Sequence, residues 1–179
     1  MGKTLLKLKP SSWIIKQVEI VQKGKKINIL DFASGEGRHS IYLANNKRLI
    51  TAIDKDRKKL ELYKNIKNIN LICFDLEKND KWPLEKESFD IIIVTNYLYR
   101  PRIRELASFL KIGGFLFYET FAVGNEKYGK PSNPDYLLKH MELLKIFKKD
   151  FETMYYFQGK TIEKGVAIIQ RCSLKKKAS

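Results

Sequence analysis

The chain has 179 residues, of which 44% are hydrophobic. This length and composition fit one folded domain, and we take residues 1–179 as a single domain and exclude a disordered chain. No apolar run is long enough to span a bilayer, and the first ten residues lack the apolar core of a signal peptide. We therefore expect a cytoplasmic protein without a membrane partner.

The formal net charge is +15, and the basic residues are mostly lysine. Such a charge can attract phosphate-rich partners. Arginine, the better side chain for bidentate contacts with phosphates and bases, is scarce. The pattern favours a composition bias on a solvated surface over nucleic-acid binding, and it leaves nucleic acid as a possible, less favoured partner.

Two cysteines and two histidines give no sign of a metal site. Cys73 and Cys172 lie in apolar, strand-like runs and are predicted to be buried core residues. His39 and His140 are far apart and in no ligand spacing. We therefore predict no metal.

The first half of the chain reads as an N-terminal basic helix followed by alternating strands and helices. Within residues 1–26, a serine cap at 11–12 starts a helix over residues 13–22, which ends at Gly24. We then predict a strand over 27–32, a helix over 37–45, a strand over 48–53, and a helix capped by Asp56 that runs to about residue 66.

The second half continues the alternation and then changes. Strands are predicted over 69–74 and 89–94, and the latter is apolar without alternation, as in a strand buried on both faces of a parallel sheet. A helix over 100–110 stops at Gly113-Gly114, and a fifth strand covers 115–120. A loop over 121–134, called the lid loop below, leads to a helix over 135–147, strands over 152–157 and 166–172, and a frayed basic tail over 173–179.

This order predicts an α/β fold with a doubly wound, mostly parallel, seven-stranded sheet and helices on both faces. The turn between the last two strands is too short for a crossover helix, so we expect a C-terminal antiparallel hairpin strand. Residues 27–120 form the predicted ligand-binding core, and residues 135–172 the C-terminal helix and strand pair.

The strongest motif lies at the first strand-to-helix junction, where Asp31 is followed by Gly35 and Gly37. Ligands of open α/β sheets bind at the carboxyl ends of the strands, and glycine lets the backbone approach them closely. Asp54 ends the second strand, where a carboxylate can accept both hydroxyls of a ribose. Asp75 ends the third strand. Each aspartate is alternatively explained as a helix cap.

The segments 29–38, 50–55, 73–76 and 90–100, together with 110–114, resemble the motifs of class I S-adenosylmethionine-dependent methyltransferases. Ala33 stands where that family usually has its first glycine. The Gly37-Arg38 pair is similar to the small tellurite-resistance and thiopurine-type branch, and the lid region resembles an uncharacterised bacterial methyltransferase group.

The resemblance implies S-adenosylmethionine as cofactor and S-adenosylhomocysteine as product. Asp54 would hold the ribose, Asp75 and Leu76 the adenine, and Asn96 and Tyr97 would lie beside the sulfonium. The full set of implied cofactor contacts is Asp31, Ala33, Ser34, Gly35, Gly37, Arg38, Asp54, Lys55, Asp75, Leu76 and Asn96.

The expected catalytic residues are Asn96, Tyr97 and Glu119. Glu119 ends the fifth strand, where it acts as a base or an orienter for a hydroxyl or carboxylate acceptor, or simply pairs with Arg100 or Arg102. The lid loop has the length and composition of a substrate cover. The expected substrate contacts are Tyr97, Arg100, Phe121, Asn125, Tyr128 and Asn133.

Four functions stay open at this point. A methyltransferase acting on a small-molecule acceptor is favoured, and an RNA-directed methyltransferase that uses the basic surface is the alternative. A nicotinamide-binding Rossmann protein is weaker, because Asp31 interrupts the apolar strand and Ser40 stands where its third glycine would be. A non-catalytic module that binds the cofactor is the fourth.

Overall fold

The computed structural model describes residues 9–78, 81–163 and 165–178. Its elements are five helices and seven strands, with three short 3₁₀ turns between them. The helices are α1 (Ser12–Gln22), α2 (Arg38–Leu43), α3 (Arg57–Glu61), α4 (Leu106–Phe109) and α5 (Glu142–Phe147). The strands are β1 (Ile27–Phe32), β2 (Arg48–Asp54), β3 (Ile69–Cys73), β4 (Phe89–Thr95), β5 (Leu110–Phe121), β6 (Phe151–Thr161) and β7 (Ala167–Lys176).

The seven strands form one sheet in the order β3-β2-β1-β4-β5-β7-β6. The pairs among β1 to β5 are parallel, whereas β7 is antiparallel to both β5 and β6. The predicted seven-stranded, mostly parallel sheet with an antiparallel C-terminal hairpin strand is confirmed. The order reverses beside β1, which places a ligand crevice at the carboxyl ends of β1 and β4.

The core has two halves, one on each face of the sheet. Ile91 and Ile93 pack with α1 and α2 on one face, and Ile92 and Val94 pack with α4 and α5 on the other. Because successive strand residues point to opposite faces, the unbroken apolar run of β4 is what a strand covered on both sides requires. Helices on both faces are therefore confirmed.

The segment predicted as a helix over residues 100–110 is helical to Phe109, but most of it is not α-helix. Residues 100–105 form a 3₁₀ helix with Pro101 near its start, and α4, which follows directly, is one turn long. The chain then enters β5 at Leu110, so Gly113-Gly114 lies inside the strand, beside the register shift opposite Phe89 and Ile91. A Cβ on Gly114 would lie 2.9 Å from the Lys111 carbonyl oxygen, so these glycines serve an irregular strand rather than a helix end.

Three other boundaries also differ. The helix predicted over 135–147 is replaced at its start by a 3₁₀ turn and by extended backbone, because Leu138 pairs with Phe121 and Val123 of the lid loop. The predicted frayed tail is wrong for residues 173–176, which belong to β7 with Ser173 and Leu174 buried. The helix predicted to residue 66 ends at Glu61.

Two further expectations concern the cysteines and the N-terminal helix. Cys172 is buried as expected, but Cys73 is exposed, so its expected burial is wrong. Cys73 lies on β3, at the edge of the sheet, where one side of the strand is not covered. Ser11 caps α1 by accepting a hydrogen bond from the Ile14 amide. Residues 1–8 of the predicted basic segment lie outside the described residues.

Candidate functional site

A cleft of about 610 Å³ opens at the carboxyl ends of β1, β2 and β4, and we call it the strand-end cleft. Nine of the eleven residues that the sequence assigns to the cofactor line it: Ala33, Ser34, Gly35, Arg38, Asp54, Lys55, Asp75, Leu76 and Asn96. Tyr97 lines it as well. Sequence reasoning missed Glu36, Lys59, Glu77 and Thr95, although all of these but Lys59 directly adjoin predicted residues.

Asp54 shapes the loop that forms one wall of the strand-end cleft. Its Oδ2 accepts a hydrogen bond of 2.8 Å from the Gly35 amide, and its Oδ1 accepts one of 2.9 Å from the Asp56 amide. Ala33 and Gly35 both have left-handed backbone, with φ of 58° and 56°. A Cβ on Gly35 would meet no atom within 4 Å. Since a carboxylate oxygen accepts more than one hydrogen bond, Asp54 keeps acceptor capacity for a ligand.

Asp31 and Gly37 lie behind the cleft rather than in its lining. Asp31 is buried, and its Oδ2 accepts hydrogen bonds from the Ser40 amide (3.1 Å) and the Ser40 hydroxyl (2.7 Å). Burial, partly offset by these bonds and by the Arg38 charge, raises the pKa of Asp31 to about 7. A Cβ on Gly37 would lie 2.6 Å from the Tyr63 ring, so that glycine is required by packing.

Asn96 and Tyr97 follow β4 and face the cleft. Asn96 is exposed, has a left-handed φ of 54°, and donates its amide to the Glu119 carbonyl oxygen. A left-handed non-glycine residue carries strain that often marks a functional position. The Tyr97 ring packs edge-on against Phe32, and burial raises the pKa of its hydroxyl. That hydroxyl is buried and has no hydrogen-bond partner within the described part of the chain.

A second, smaller cavity of about 220 Å³ adjoins the strand-end cleft, and we call it the hairpin cavity. Its walls come from the lid loop on one side and from the β6–β7 hairpin on the other. Arg38, Asn96 and Phe121 line both spaces, so the two adjoin at these residues. The other predicted residues that it contains are Glu119, Asn125 and Tyr128.

Two predicted substrate contacts lie outside both spaces. Arg100 forms an ion pair with Glu142, with an N–O distance of 2.6 Å, and donates to the Leu137 carbonyl oxygen. Asn133 caps a 3₁₀ turn by accepting a hydrogen bond from the Asp135 amide. Both residues therefore brace the chain after the lid loop.

Asn125 lines the hairpin cavity, but both ends of its amide bind backbone. Its Nδ2 donates to the Pro131 carbonyl oxygen (3.0 Å), and its Oδ1 accepts from the Ile168 amide (3.1 Å). The side chain is 1% exposed. The geometry makes Asn125 a link that holds the lid loop against β7.

Glu119 is held at the base of the hairpin cavity by two donors. Arg171 Nε and the Ser11 hydroxyl both donate to its Oε2, at 2.6 Å and 3.0 Å. The expected pairing with Arg100 or Arg102 is wrong, because β7 lies next to β5 and places Arg171 opposite Glu119. Arg171 also pairs with Glu163 of the hairpin at 3.1 Å.

The sequence analysis predicted none of the residues in the hairpin wall of this cavity. Pairing between β5 and β7 is what brings this wall to the site, and its register cannot be read from one sequence. The missed residues of this wall are Thr161, Glu163, Gly165, Val166, Ala167, Ile169 and Arg171.

Arg38 lies at the junction of the two spaces. One of its terminal nitrogens donates to the Thr95 hydroxyl at 3.2 Å. It makes no ion pair shorter than 4 Å with a carboxylate of the described residues. Burial lowers the pKa of Arg38, while the charges of Glu119 and Asp31 oppose that shift. A partly desolvated cation with no carboxylate at ion-pair distance favours an anionic group at this position.

The described residues contain neither a metal-binding cluster of side chains nor a membrane-spanning helix. Across residues 9–78, 81–163 and 165–178, no group of three or more His, Cys, Asp or Glu side chains is placed to hold a metal ion. In the same residues, no helix has the length and hydropathy needed to cross a membrane.

Comparison with known proteins gives a family model and a set of similar structures. Residues 29–114 match a family model described as a methyltransferase domain. Comparison of the sequence with curated proteins finds no significant match.

Three of the similar solved structures illustrate the fold likeness. TehB from Haemophilus influenzae is 19% identical with a TM-score of 0.73, and the match covers 92% of this chain and 61% of that longer one. A SAM-dependent methyltransferase from Methanosarcina mazei is 14% identical with a TM-score of 0.72, covering 96% and 100% of the two chains. The 1,6-didemethyltoxoflavin-N1-methyltransferase from Burkholderia thailandensis, solved with 1,6-didemethyltoxoflavin and S-adenosylhomocysteine, is 13% identical with a TM-score of 0.67, covering 92% and 76%.

Proposed function

We propose that the chain is an S-adenosylmethionine-dependent methyltransferase that holds its cofactor in the strand-end cleft and methylates a small molecule in the hairpin cavity. The matched methyltransferase domain and the class I fold agree with the enzyme class and the cofactor that the sequence predicts. The observation that carries the assignment of the two spaces is that they adjoin at Arg38, Asn96 and Phe121, which line both. A methyl group can pass from donor to acceptor only where the two are in contact.

The residues of the strand-end cleft fit the cofactor. Asp54 retains acceptor capacity for the two ribose hydroxyls, and Asp75 with Leu76 lies where the adenine would bind. The open space beyond Gly35 leaves room for the methionine part. The orphaned Tyr97 hydroxyl is the kind of buried group that a bound ligand completes.

Bound S-adenosylmethionine supplies an activated methyl group on a sulfonium, so the chain's own task is to position the acceptor and exclude water. Asn96 and Phe121 hold the junction at which the two reactants meet. Since Arg171 and the Ser11 hydroxyl both donate to Oε2 of Glu119, we assign Glu119 to holding Arg171 in place. The acceptor is then one that needs no general base.

A bulky side chain in the hairpin cavity tests whether the acceptor binds there and the cofactor in the strand-end cleft. Ala167 lines that cavity and not the strand-end cleft. We expect Ala167→Trp to reduce methyl transfer at least 100-fold while the Kd for S-adenosylhomocysteine stays within about tenfold, or 1.4 kcal/mol. Transfer is measured with labelled cofactor and a panel of small anions, thiols and RNA.

Met154→Trp is the matched control, because Met154 is 54% exposed on the same hairpin and lines neither space. Its turnover should equal that of the unmodified protein. Full turnover in Ala167→Trp would place the acceptor elsewhere and refute the assignment of the cavity.

A further inference from the structure

The hairpin cavity has an apolar wall built from two separate elements. Phe121 of the lid loop and Ala167 and Ile169 of β7 line its interior, and Ile169 is buried. At the mouth, Tyr128 of the lid loop and Val166 of the hairpin are 46% and 43% exposed. Exposed apolar side chains around a concave opening are typical of a binding site.

The two elements are tied to each other, so the mouth is a formed feature. Lys160 of β6 lies over the Tyr128 ring, with its Nζ 5.3 Å from the ring centroid. Asn125 of the lid loop accepts a hydrogen bond from the Ile168 amide of β7. The lid loop and the hairpin therefore present Tyr128 and Val166 as one apolar opening.

The inner end of the cavity is positively charged. Arg171 is balanced by Glu119 and Glu163, whereas Arg38 has no carboxylate partner within 4 Å among the described residues. Arg38 is also one of the residues at the junction with the strand-end cleft. The cavity thus combines an apolar mouth with a cation beside the point at which the methyl group arrives.

We propose that the acceptor is a small amphiphilic organic anion, a carboxylate or a thiolate, whose anionic end reaches Arg38 and whose apolar body lies between Tyr128 and Val166. This rests on the proposed function. A volume of about 220 Å³ is below the range of about 300–1,000 Å³ usual for drug-sized ligands, so the acceptor is smaller than these.

The reaction balances without a base. A lone pair of the acceptor's anionic oxygen or sulfur forms the new bond to the methyl carbon, and the pair of the broken carbon–sulfur bond goes to the sulfonium sulfur. The anion and the sulfonium are both neutralised, and the products are a methyl ester or thioether and S-adenosylhomocysteine. No proton has to move, which agrees with the occupied Glu119 oxygen.

The test is calorimetric titration of the full chain, saturated with S-adenosylhomocysteine, with acetate, butyrate and hexanoate, and with the thiolates and neutral alcohols of the same chain lengths. We expect anion affinity to rise by about fourfold for each buried methylene until the cavity is full. The alcohols should bind at least tenfold more weakly than the anions. Tyr128→Ala with Val166→Ala should remove most of the gain with chain length, and Met154→Ala should leave it unchanged.

Three results would overturn the proposal: no binding of any organic anion at millimolar concentration, affinity independent of chain length, or equal binding of alcohols and anions. S-adenosylhomocysteine binding is measured in the same samples. A failure confined to the anions therefore leaves the proposed function standing, whereas loss of cofactor binding removes it.

The carboxylate of the cofactor is the other possible partner of Arg38. A second titration, with methylthioadenosine, distinguishes a partner on the cofactor from one on the acceptor. Methylthioadenosine carries the nucleoside and sulfur but no carboxylate. If Arg38→Gln weakens S-adenosylhomocysteine at least tenfold and leaves methylthioadenosine unchanged, Arg38 serves the cofactor, and the anionic end assigned to the acceptor is refuted. We expect both nucleosides to change by less than threefold while hexanoate affinity falls at least tenfold.

Discussion

At the scale of single residues, Asp31 predicts how stability depends on pH. Burial raises its pKa from 3.8 to about 7, so the folded protein holds a proton that the unfolded chain releases between these values. The stability contributed by this proton is fully present below about pH 4 and is lost as the pH rises to about 7. The change amounts to roughly 4 kcal/mol at most, at 1.36 kcal/mol per unit.

Asp31→Asn removes this titration and keeps the shape of the side chain. Urea unfolding of both proteins should show that the unmodified protein loses stability relative to the variant between about pH 4 and about pH 8. Comparing the two at each pH cancels the other titrating groups. Parallel pH profiles would mean that Asp31 is ionised in the folded protein, with Ser40 and Arg38 carrying its charge.

Residues at the ends of parallel strands were predictable from the sequence, and those brought in by tertiary pairing were not. Asp54, Asp75 and Asn96 line the strand-end cleft because strands of one direction end at one edge. The sequence predicts that Gly37 contacts the ligand. In the structure, glycine is required there because a Cβ would collide with the ring of Tyr63, a residue that follows α3. Arg171 is far from Glu119 in sequence and reaches it only through the β5–β7 register.

At the scale of elements, the alternation of strands and helices was predictable, and the helix lengths were not. Local pattern favours helix over 100–110 and 135–147. The first segment is helical to Phe109 but is 3₁₀ over residues 100–105, and the backbone pairing of Leu138 with the lid loop delays the second helix to Glu142. The charged residues 173–176 suggest fraying, but β7 is an inner strand, paired on both sides, and Leu174 is buried. Pairing partners decide these segments, and a single sequence does not contain them.

The lid loop gives the prediction at this scale. Asn125→Ala would leave the Ile168 amide and the Pro131 carbonyl without their buried partner, at a cost of about 1–3 kcal/mol. Because this link also holds the loop against β7, we expect faster proteolysis within residues 121–134 and at least tenfold lower methyl transfer. Affinity for S-adenosylhomocysteine should stay unchanged, since Asn125 does not line the strand-end cleft.

Asn133→Ala is the matched control on the same loop. Asn133 is exposed and its side chain accepts a hydrogen bond from the nearby Asp135 amide, so its loss should cost about 1 kcal/mol or less and leave turnover unchanged. Equal effects of the two substitutions would mean that the link between the lid loop and β7 has no special role in catalysis.

At the scale of the whole molecule, the charge of +15 raises the alternative of an RNA acceptor. The structure adds that the hairpin cavity is small, at about 220 Å³, and that Glu119 and Arg171, two of the residues that line it, form an ion pair. A space of this size, with an apolar mouth between Tyr128 and Val166, matches a small organic molecule better than a polynucleotide. Most of the positive charge is then not needed for binding the acceptor.

We therefore expect RNA binding that is weak, independent of sequence and steeply dependent on salt. Each neutralised phosphate on a single strand lowers log K by about 0.7 per tenfold increase in salt, so binding at low ionic strength should largely vanish at physiological salt. Fluorescence polarisation with short single-stranded RNAs of different sequence measures this directly. Added RNA should also leave methyl transfer to a small acceptor unchanged, because a polynucleotide is too large for a cavity of about 220 Å³. A complex that persists at physiological salt, prefers one sequence and accepts labelled methyl groups would make RNA the substrate and the small-molecule assignment wrong.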